Sequence, residues 1–462
     1  MFDKKVYIDR RNRLRSQLKS GLILILGNPE SAMNYPANTY PFRQDSNFLY
    51  FFGLDHPDLA GVMDIDANRD YLFGNDVTLD DIIWMGPQLL LKDRAQEVGV
   101  NHTAPFDNLI AFLHQAIKAG RRVHFLPPYR GEHTLLLKQL LGILTAHVKD
   151  YISEELIRAV VDLRSIKDNH EIAEIESALE VTWHMYITAM KMAMPGVTER
   201  HIAGTIEGIS LAKSGIVAFP IILSINGQTL HNHLHDNTLV KGKMLVIDAG
   251  TESALHYASD ITRSIPVGGM FNQKQKAVYD IVLSANTQSI AAIKPGVPYK
   301  DIHLLAATII TEGLKDLCIM KGNTDDAVAA GAHALFFPHG LGHMMGLDVH
   351  DMEGLGENYV GYDHTVTRSE QFGLAFLRLA RKLQPGFVLT VEPGIYFIPE
   401  LIDQWKTAGK FTDFINYDKI NEFMDIGGIR IEDDVVVTQG GYRVLGKPIP
   451  KTVKDIEETM AK

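Results

Sequence analysis

A chain of 462 residues, 46% of them hydrophobic, is long enough for two cores, so at least two domains are expected. The formal net charge of −11 argues against a nucleic-acid partner, whose phosphates need clustered Lys and Arg, and the single cysteine, Cys318, cannot form an internal disulfide, which favours a reducing compartment. Met1–Arg15 is too charged for a signal peptide and the apolar run Gly21–Leu26 too short for a membrane span, so no membrane association and a cytoplasmic location are expected.

In chain order, residues 5–20 have the pattern of a short helix, and Leu22–Leu26 that of a fully buried strand closed by the turn signal Gly27-Asn28-Pro29. Phe48–Gly53, Gly61–Ile65 and Tyr71–Phe73 read as further strands. Helix-like stretches at 109–119 and 132–146 flank the short apolar piece Val123–Leu126, and this alternation predicts an α/β N-terminal domain. A long helical period runs from Asn169 to Met194, with Ile172, Ile175, Ala178, Leu179, Thr182 and Met185 on one side. It sets a boundary near residue 166, giving domains 1–166 and 167–462.

The second part contains an echo. Met194-Pro195-Gly196-Val197 ends one helix and opens another containing Ile202; one hundred positions later Lys294-Pro295-Gly296-Val297 does the same ahead of Ile302. Each helix pair flanks a strand-like run ending in an acid, Leu245–Asp248 in one case and Val388–Glu392 in the other. Pro-Gly after a helix is common, but agreement in order, residue type and context favours a duplicated α/β half.

Polar residues interrupt this apolar pattern where chemistry is to be sought. Leu245-Val246-Ile247-Asp248 is a buried-strand pattern ending in a carboxylate, and Ser259-Asp260-Ile261-Thr262-Arg263 places another on the next strand. A hairpin centred near Ala254 would set Asp248 and Asp260 opposite one another on one face, where two carboxylates resist joint ionisation unless a cation or proton lies between them. The segment His339–Asp351 interleaves three histidines (His339, His343 and His350) with glycines, as suits a loop whose backbone must approach something closely. Val388–Glu392 ends a further buried strand, and Ile429-Arg430-Ile431-Glu432-Asp433-Asp434 supplies a fourth acid. An exposed acidic turn suits Asp433 and Asp434 better than Glu432, which sits between β-branched neighbours.

Four carboxylates and one imidazole make an oxygen-rich donor set, better matched to Mn²⁺- or Mg²⁺-like ions, or to Fe and Co, than to thiolate-seeking zinc. Four negative charges balance two divalent cations. Two such ions roughly 3.5–4 Å apart can share and acidify one water, and the bridging hydroxide is then the natural nucleophile. No Ser-His-Asp or Cys-based elbow competes and no Gly-rich phosphate loop follows a strand, so the expected reaction is hydrolysis.

These segments resemble, in order, the motifs of the proline-specific "pita-bread" metallopeptidases, aminopeptidase P and prolidase: Ile247–Gly250, Ser259–Arg263, His339–Asp351, Thr390–Tyr396 and Gly428–Asp434. Phe42-Arg43-Gln44-Asp45-Ser46-Asn47-Phe48 and Phe52-Gly53-Leu54 resemble the family's creatinase-like N-terminal α/β domain, so the resemblance covers nearly the whole chain. It implies an α/β (α+β) protein with a pseudo-twofold catalytic domain and two divalent ions per subunit, Mn²⁺ foremost, with Co²⁺, Fe²⁺ or Zn²⁺ as alternatives. It assigns Asp248, Asp260, His343, Glu392 and Glu432 as ligands, with Asp260 or Glu432 bridging. It also gives catalytic or substrate-contacting roles to His231 (or its neighbour His233), His339, His350 and Arg430. Arg378 matches the prolidase arginine that takes a dipeptide's carboxylate, for which a planar guanidinium suits a two-pronged contact; otherwise it is a surface cation. The implied activity is cleavage before proline in di- or oligopeptides, by a homodimer or tetramer. A catalytically silent binding protein and a metal-free creatine hydrolase are disfavoured by the complete ligand set.

Overall fold

A computed structural model describes all 462 residues and divides them into two compact units, Met1–Arg164 with Glu353–Tyr359, and Ser165–Met352 with Val360–Lys462.

The first unit is built on a five-stranded mixed sheet in the order His102–Ala104, Arg69–Phe73, Ala60–Asp64, Leu22–Leu26, Val123–Phe125. Leu22–Leu26 pairs antiparallel with Ala60–Asp64 and parallel with Val123–Phe125. Helices Asn108–Lys118 and Gly131–Leu141 cover it, bringing Leu109, Leu113, Leu137 and Leu140 onto Leu22, Leu24, Val62 and Phe125. The helix expected to reach residue 146 stops at Leu141, because Gly142 takes the left-handed cap and a 3₁₀ turn, Thr145–Tyr151, follows.

Phe48–Gly53 is not a strand. Ser46–Phe52 is a helix, capped by the Asp45 side chain accepting from Phe48 N–H and stopped by Gly53 at φ 64°. Phe48, Phe51 and Phe52 are all fully buried, each worth about 1.5–3 kcal/mol on transfer from water. A run apolar on every side carries no period, so the end residues decide its conformation.

The second unit repeats itself. Helices Asn169–Met192 and Gln273–Ala292 end in the two Pro-Gly turns, with Gly196 at φ 90° and Gly296 at φ 83°, and Glu199–Lys213 and Tyr299–Asp316 begin after them. Gly196 N–H donates to Leu239 O and Leu239 N–H to Val197 O; Gly296 N–H donates to Leu383 O and Leu383 N–H to Val297 O. Each half adds a three-stranded antiparallel sheet. One is Ile261–Pro266, Met244–Ala249, Ile222–Ser224; the other is Val388–Val391, Asp433–Val437, Tyr442–Val444. The same turn chemistry thus folds the same local structure twice.

Candidate metal centre

The acids stand at the ends of strands whose remaining residues are buried. Met244–Ala249 pairs with Ile261–Pro266 in a register that sets Thr262, not Asp260, across from Asp248. The hairpin therefore turns one residue later than the spacing suggested, and Asp260 lies diagonal to Asp248 on the same face. A bridge between Thr262 and Glu432 joins the two sheets: Glu432 N–H donates to Thr262 O at 3.1 Å, and Thr262 Oγ1 donates to Glu432 Oε2 at 2.6 Å. Glu392 follows Val388–Val391, its N–H donating to Leu341 O at 2.8 Å.

That last bond ties the strand to the glycine-histidine loop. His343 N–H donates to Thr390 Oγ1 and Thr390 N–H to His343 O, an approach so close that a Cβ on Gly342 would lie 2.1 Å from Thr390 O. His343 Nδ1 lies 3.0 Å from Met344 O and donates to it, leaving the Nε2 lone pair toward the acids. Nε2 is 3.4 Å from Asp260 Oδ2 and 3.7 Å from Glu392 Oε1.

Ligating atoms of Asp260, His343 and Glu432 all lie within 4.8 Å of one another, and all three residues are buried. Burial pushes the Asp260 carboxyl well above its usual range, and Asp248, Asp434 and Glu392 push it further. Glu432 is raised well above its usual range by burial, then by Asp260, Glu392 and Asp248. Glu392 is raised as well, mainly by burial. Asp248 Oδ1 is buried without a hydrogen-bond partner. Carboxylates so placed ionise together only with cations among them, and the donor set (oxygens and one imidazole, no thiolate) fits divalent metal ions.

Arg430 organises the ring around these donors. Its Nη2 donates to Asp248 Oδ2, its Nε to Thr262 Oγ1 at 3.0 Å, and its Nη1 to the Tyr396 hydroxyl at 2.9 Å. Burial works against its charge, but Tyr396, Asp248, Glu432 and Glu392 outweigh that and hold it protonated. Tyr396 OH lies 2.9 Å from His339 Nε2, while His339 Nδ1 lies 2.8 Å from Gly340 O. Burial takes the His339 imidazole down to about 3, so it is neutral and accepts from the tyrosine.

The His350 ring sits 4.1 Å from that of His343. The His231 imidazole is lowered by burial and then by Arg430, with Asp248, His233 and Arg378 also acting on it, which sets it beside the acidic cluster. His233 instead directs Nδ1 to Ile221 O at 3.4 Å, its ring 6.4 Å from that of His231. Arg378 is half-buried after a 3₁₀ turn, Leu374–Phe376, and its charge acts on His231, His339 and Glu392. Asp260, His343 and Glu432 thus form one cluster in the second unit, with Glu392 and His350 beside His343 and with Asp248, Arg430, Tyr396 and His339 joined in a chain of hydrogen bonds, while His231 and Arg378 act on this group through their charges.

Two residues correct the sequence reading. Asp433 and Asp434 do not form an exposed turn; they open the buried strand Asp433–Val437. Asp433 pairs with Arg263 at 2.7 Å and Lys451 at 2.6 Å, and these cations overcome burial to bring its carboxyl down to about 2. Asp434 Oδ2 accepts the Asp260 N–H at 3.0 Å, fixing the backbone of that candidate ligand. Both partnerships join segments distant in sequence, so no local pattern announced them. Tyr396, which closes the Thr390–Tyr396 motif, was not singled out either, although its hydroxyl joins Arg430 to His339.

Residues 173–439 match metallopeptidase family M24, and residues 7–124 match the aminopeptidase P N-terminal domain. Human Xaa-Pro dipeptidase is 33% identical over 465 residues, covering 98% of this chain and 91% of that protein. A probable Xaa-Pro aminopeptidase of Aspergillus fumigatus is 32% identical over 433 residues, covering 91% and 88%. Among solved structures, Escherichia coli aminopeptidase P with the inhibitor Pro-Leu superposes with a TM-score of 0.81 at 29% identity, over 100% of this chain and 98% of that one. Pseudomonas aeruginosa aminopeptidase PepP gives 0.83 at 27%, with the same coverage. Buried acids and a histidine at the meeting of two repeated halves, together with full-length likeness to these enzymes, show that the chain belongs to metallopeptidase family M24.

Proposed function

We propose that this protein is a two-metal hydrolase that cuts the peptide bond before proline, as an Xaa-Pro aminopeptidase, an Xaa-Pro dipeptidase or both. The observation that carries the reading is the buried Asp260–His343–Glu432 cluster in a chain alike along its length to Xaa-Pro peptidases. Asp248, Asp260, His343, Glu392 and Glu432 would hold two divalent ions, Mn²⁺ foremost. Bound there, the ions supply an acidified water and a Lewis acid for the scissile carbonyl.

The chain's own groups do the rest. Arg430 aims Asp248 through a charged hydrogen bond, and the Thr262 hydroxyl aims Glu432. His350 and His231 would hydrogen-bond the reacting carbonyl and the substrate backbone, with His231 favoured over His233 because Arg430 and Asp248 act on it. His339, held neutral, lines the site through Tyr396. A filled ligand set gives no support to a silent binding protein. A domain boundary near residue 166 belongs to the same reading, as does a cytoplasmic location, which the lone cysteine supports; no helix is long and apolar enough to cross a membrane. A homodimer or tetramer is supported by the helix Leu79–Met85, which buries no residue and leaves Trp84 86% exposed.

The test is hydrolysis of an Xaa-Pro dipeptide and an Xaa-Pro-Yaa tripeptide by the Mn²⁺-loaded protein; cleavage of neither contradicts the proposal. Arg378 separates the two activities. In a dipeptide the carboxylate lies just beyond proline and must shed water, which a charged bidentate bond to arginine offsets by roughly 1.5–3 kcal/mol. Arg378→Ala is therefore expected to raise KM steeply for the dipeptide and to change tripeptide cleavage little. Equal small losses on both substrates would remove Arg378 from specificity.

A further inference from the structure

Lys167 and Asp351 form an ion pair closed to solvent: Nζ lies 2.8 Å from Oδ2, and each side chain is 1% exposed. Burying two charges is costly, and apolar residues of similar size often serve stability as well or better. A pair kept in such a place points to positioning. Asp351 directly follows His350, and its N–H donates to Met344 O at 2.9 Å, closing the loop that starts at His343. Asp351 Oδ1 accepts from Asp348 N–H at 3.3 Å within the same loop. The loop backbone lies directly on the pair: a Cβ added to Gly346 would come within 2.7 Å of Asp351 Oδ2 and 2.9 Å of Lys167 Cε. At its other end Lys167 N–H donates to Gly386 O at 2.9 Å, just ahead of the strand Val388–Val391 that leads to Glu392.

The ion pair therefore fastens the loop bearing His350 to the strand bearing Glu392. We propose that Lys167, acting through Asp351, is a positioning residue that fixes the His350 imidazole against the metal centre during cleavage. The inference rests on the reading of His350 as a substrate-contacting histidine. Without the ammonium, the 2.8 Å bond from Lys167 Nζ to Asp351 Oδ2 is lost and the loop relaxes, displacing a ring that sits 4.1 Å from His343. Misplacement of a reacting group by about 1 Å costs on the order of 10²-fold in rate.

The experiment is steady-state kinetics of the metal-loaded full chain on an Xaa-Pro peptide. It compares wild type, Lys167→Met, Lys167→Arg, His350→Ala and the Lys167→Met/His350→Ala double variant, with metal content measured for each. Lys167→Met is expected to lower kcat by about 10²-fold, with KM and metal content close to wild type, and Lys167→Arg to recover much of the loss. In the His350→Ala background the same change should cost little more, because the two residues act as one unit. Wild-type kcat for Lys167→Met, full additivity with His350→Ala, or metal loss in step with kcat overturns the proposal while leaving His350 in its role. Wild-type turnover of His350→Ala overturns the reading beneath it. Should Lys167→Met fail to fold, Asp351→Glu keeps both charges while lengthening the arm; a kcat drop of about tenfold or more supports the proposal, and an unchanged kcat overturns it.

Discussion

Asp260→Asn and Glu392→Gln are each expected to abolish turnover while leaving the fold intact. Asp260 lies within reach of His343 and Glu432, and Glu392 lies across from the same imidazole, so on the proposed function either change would remove a charged donor from the divalent ions. The nucleophile those ions would supply would be lost with it. Stability should move the other way in metal-free protein. Burial and neighbouring acids raise the Asp260 carboxyl well above its usual range, so its ionised form is a burden at neutral pH when no cation is present. Metal-free Asp260→Asn should therefore melt no lower than metal-free wild type, which distinguishes a functional loss from unfolding. Activity within about tenfold of wild type in metal-replete buffer would contradict the ligand assignment.

His350→Ala and His231→Ala should lower kcat by about 10²–10³-fold, the usual cost of a missing transition-state hydrogen-bond donor. Neither is needed to complete the five-residue donor set, so metal stoichiometry should stay at the wild-type value. Loss of one ion per site in either variant would make that residue a ligand rather than a substrate contact. Retention of both metal and rate would remove it from the site. The same comparison on His233→Ala tests whether His231 is the active member of its pair, since the rings are only 6.4 Å apart.

Much of this site was legible because its chemistry conflicts with burial. Asp248 and Glu392 end apolar strands, and an acid in such a place needs a partner that sequence spacing can suggest. The Pro-Gly-Val echo exposed the repeated halves because turns at Gly196 and Gly296 depend on local residues alone. What failed was of three kinds. The helix Ser46–Phe52 was mistaken for a strand because a run buried on every side has no period, and only its Asp45 cap and Gly53 stop mark it as helical. The partners of Asp433 and Asp434 lie far along the chain, Arg263 and Lys451 for one and the Asp260 amide for the other, so their burial could not be read from an acidic tripeptide. The register offset between Asp248 and Asp260 is a third case: counting residues fixes the shared face but not which residue faces which.

The proposed function makes cleavage before proline depend on divalent ions held by Asp248, Asp260, His343, Glu392 and Glu432. Its most direct test is to chelate the protein exhaustively, confirm metal removal by elemental analysis, and measure Xaa-Pro cleavage before and after adding Mn²⁺ or Co²⁺. Activity should vanish with the metal and return as two ions per chain are restored; full activity in protein shown to be metal-free would contradict the account.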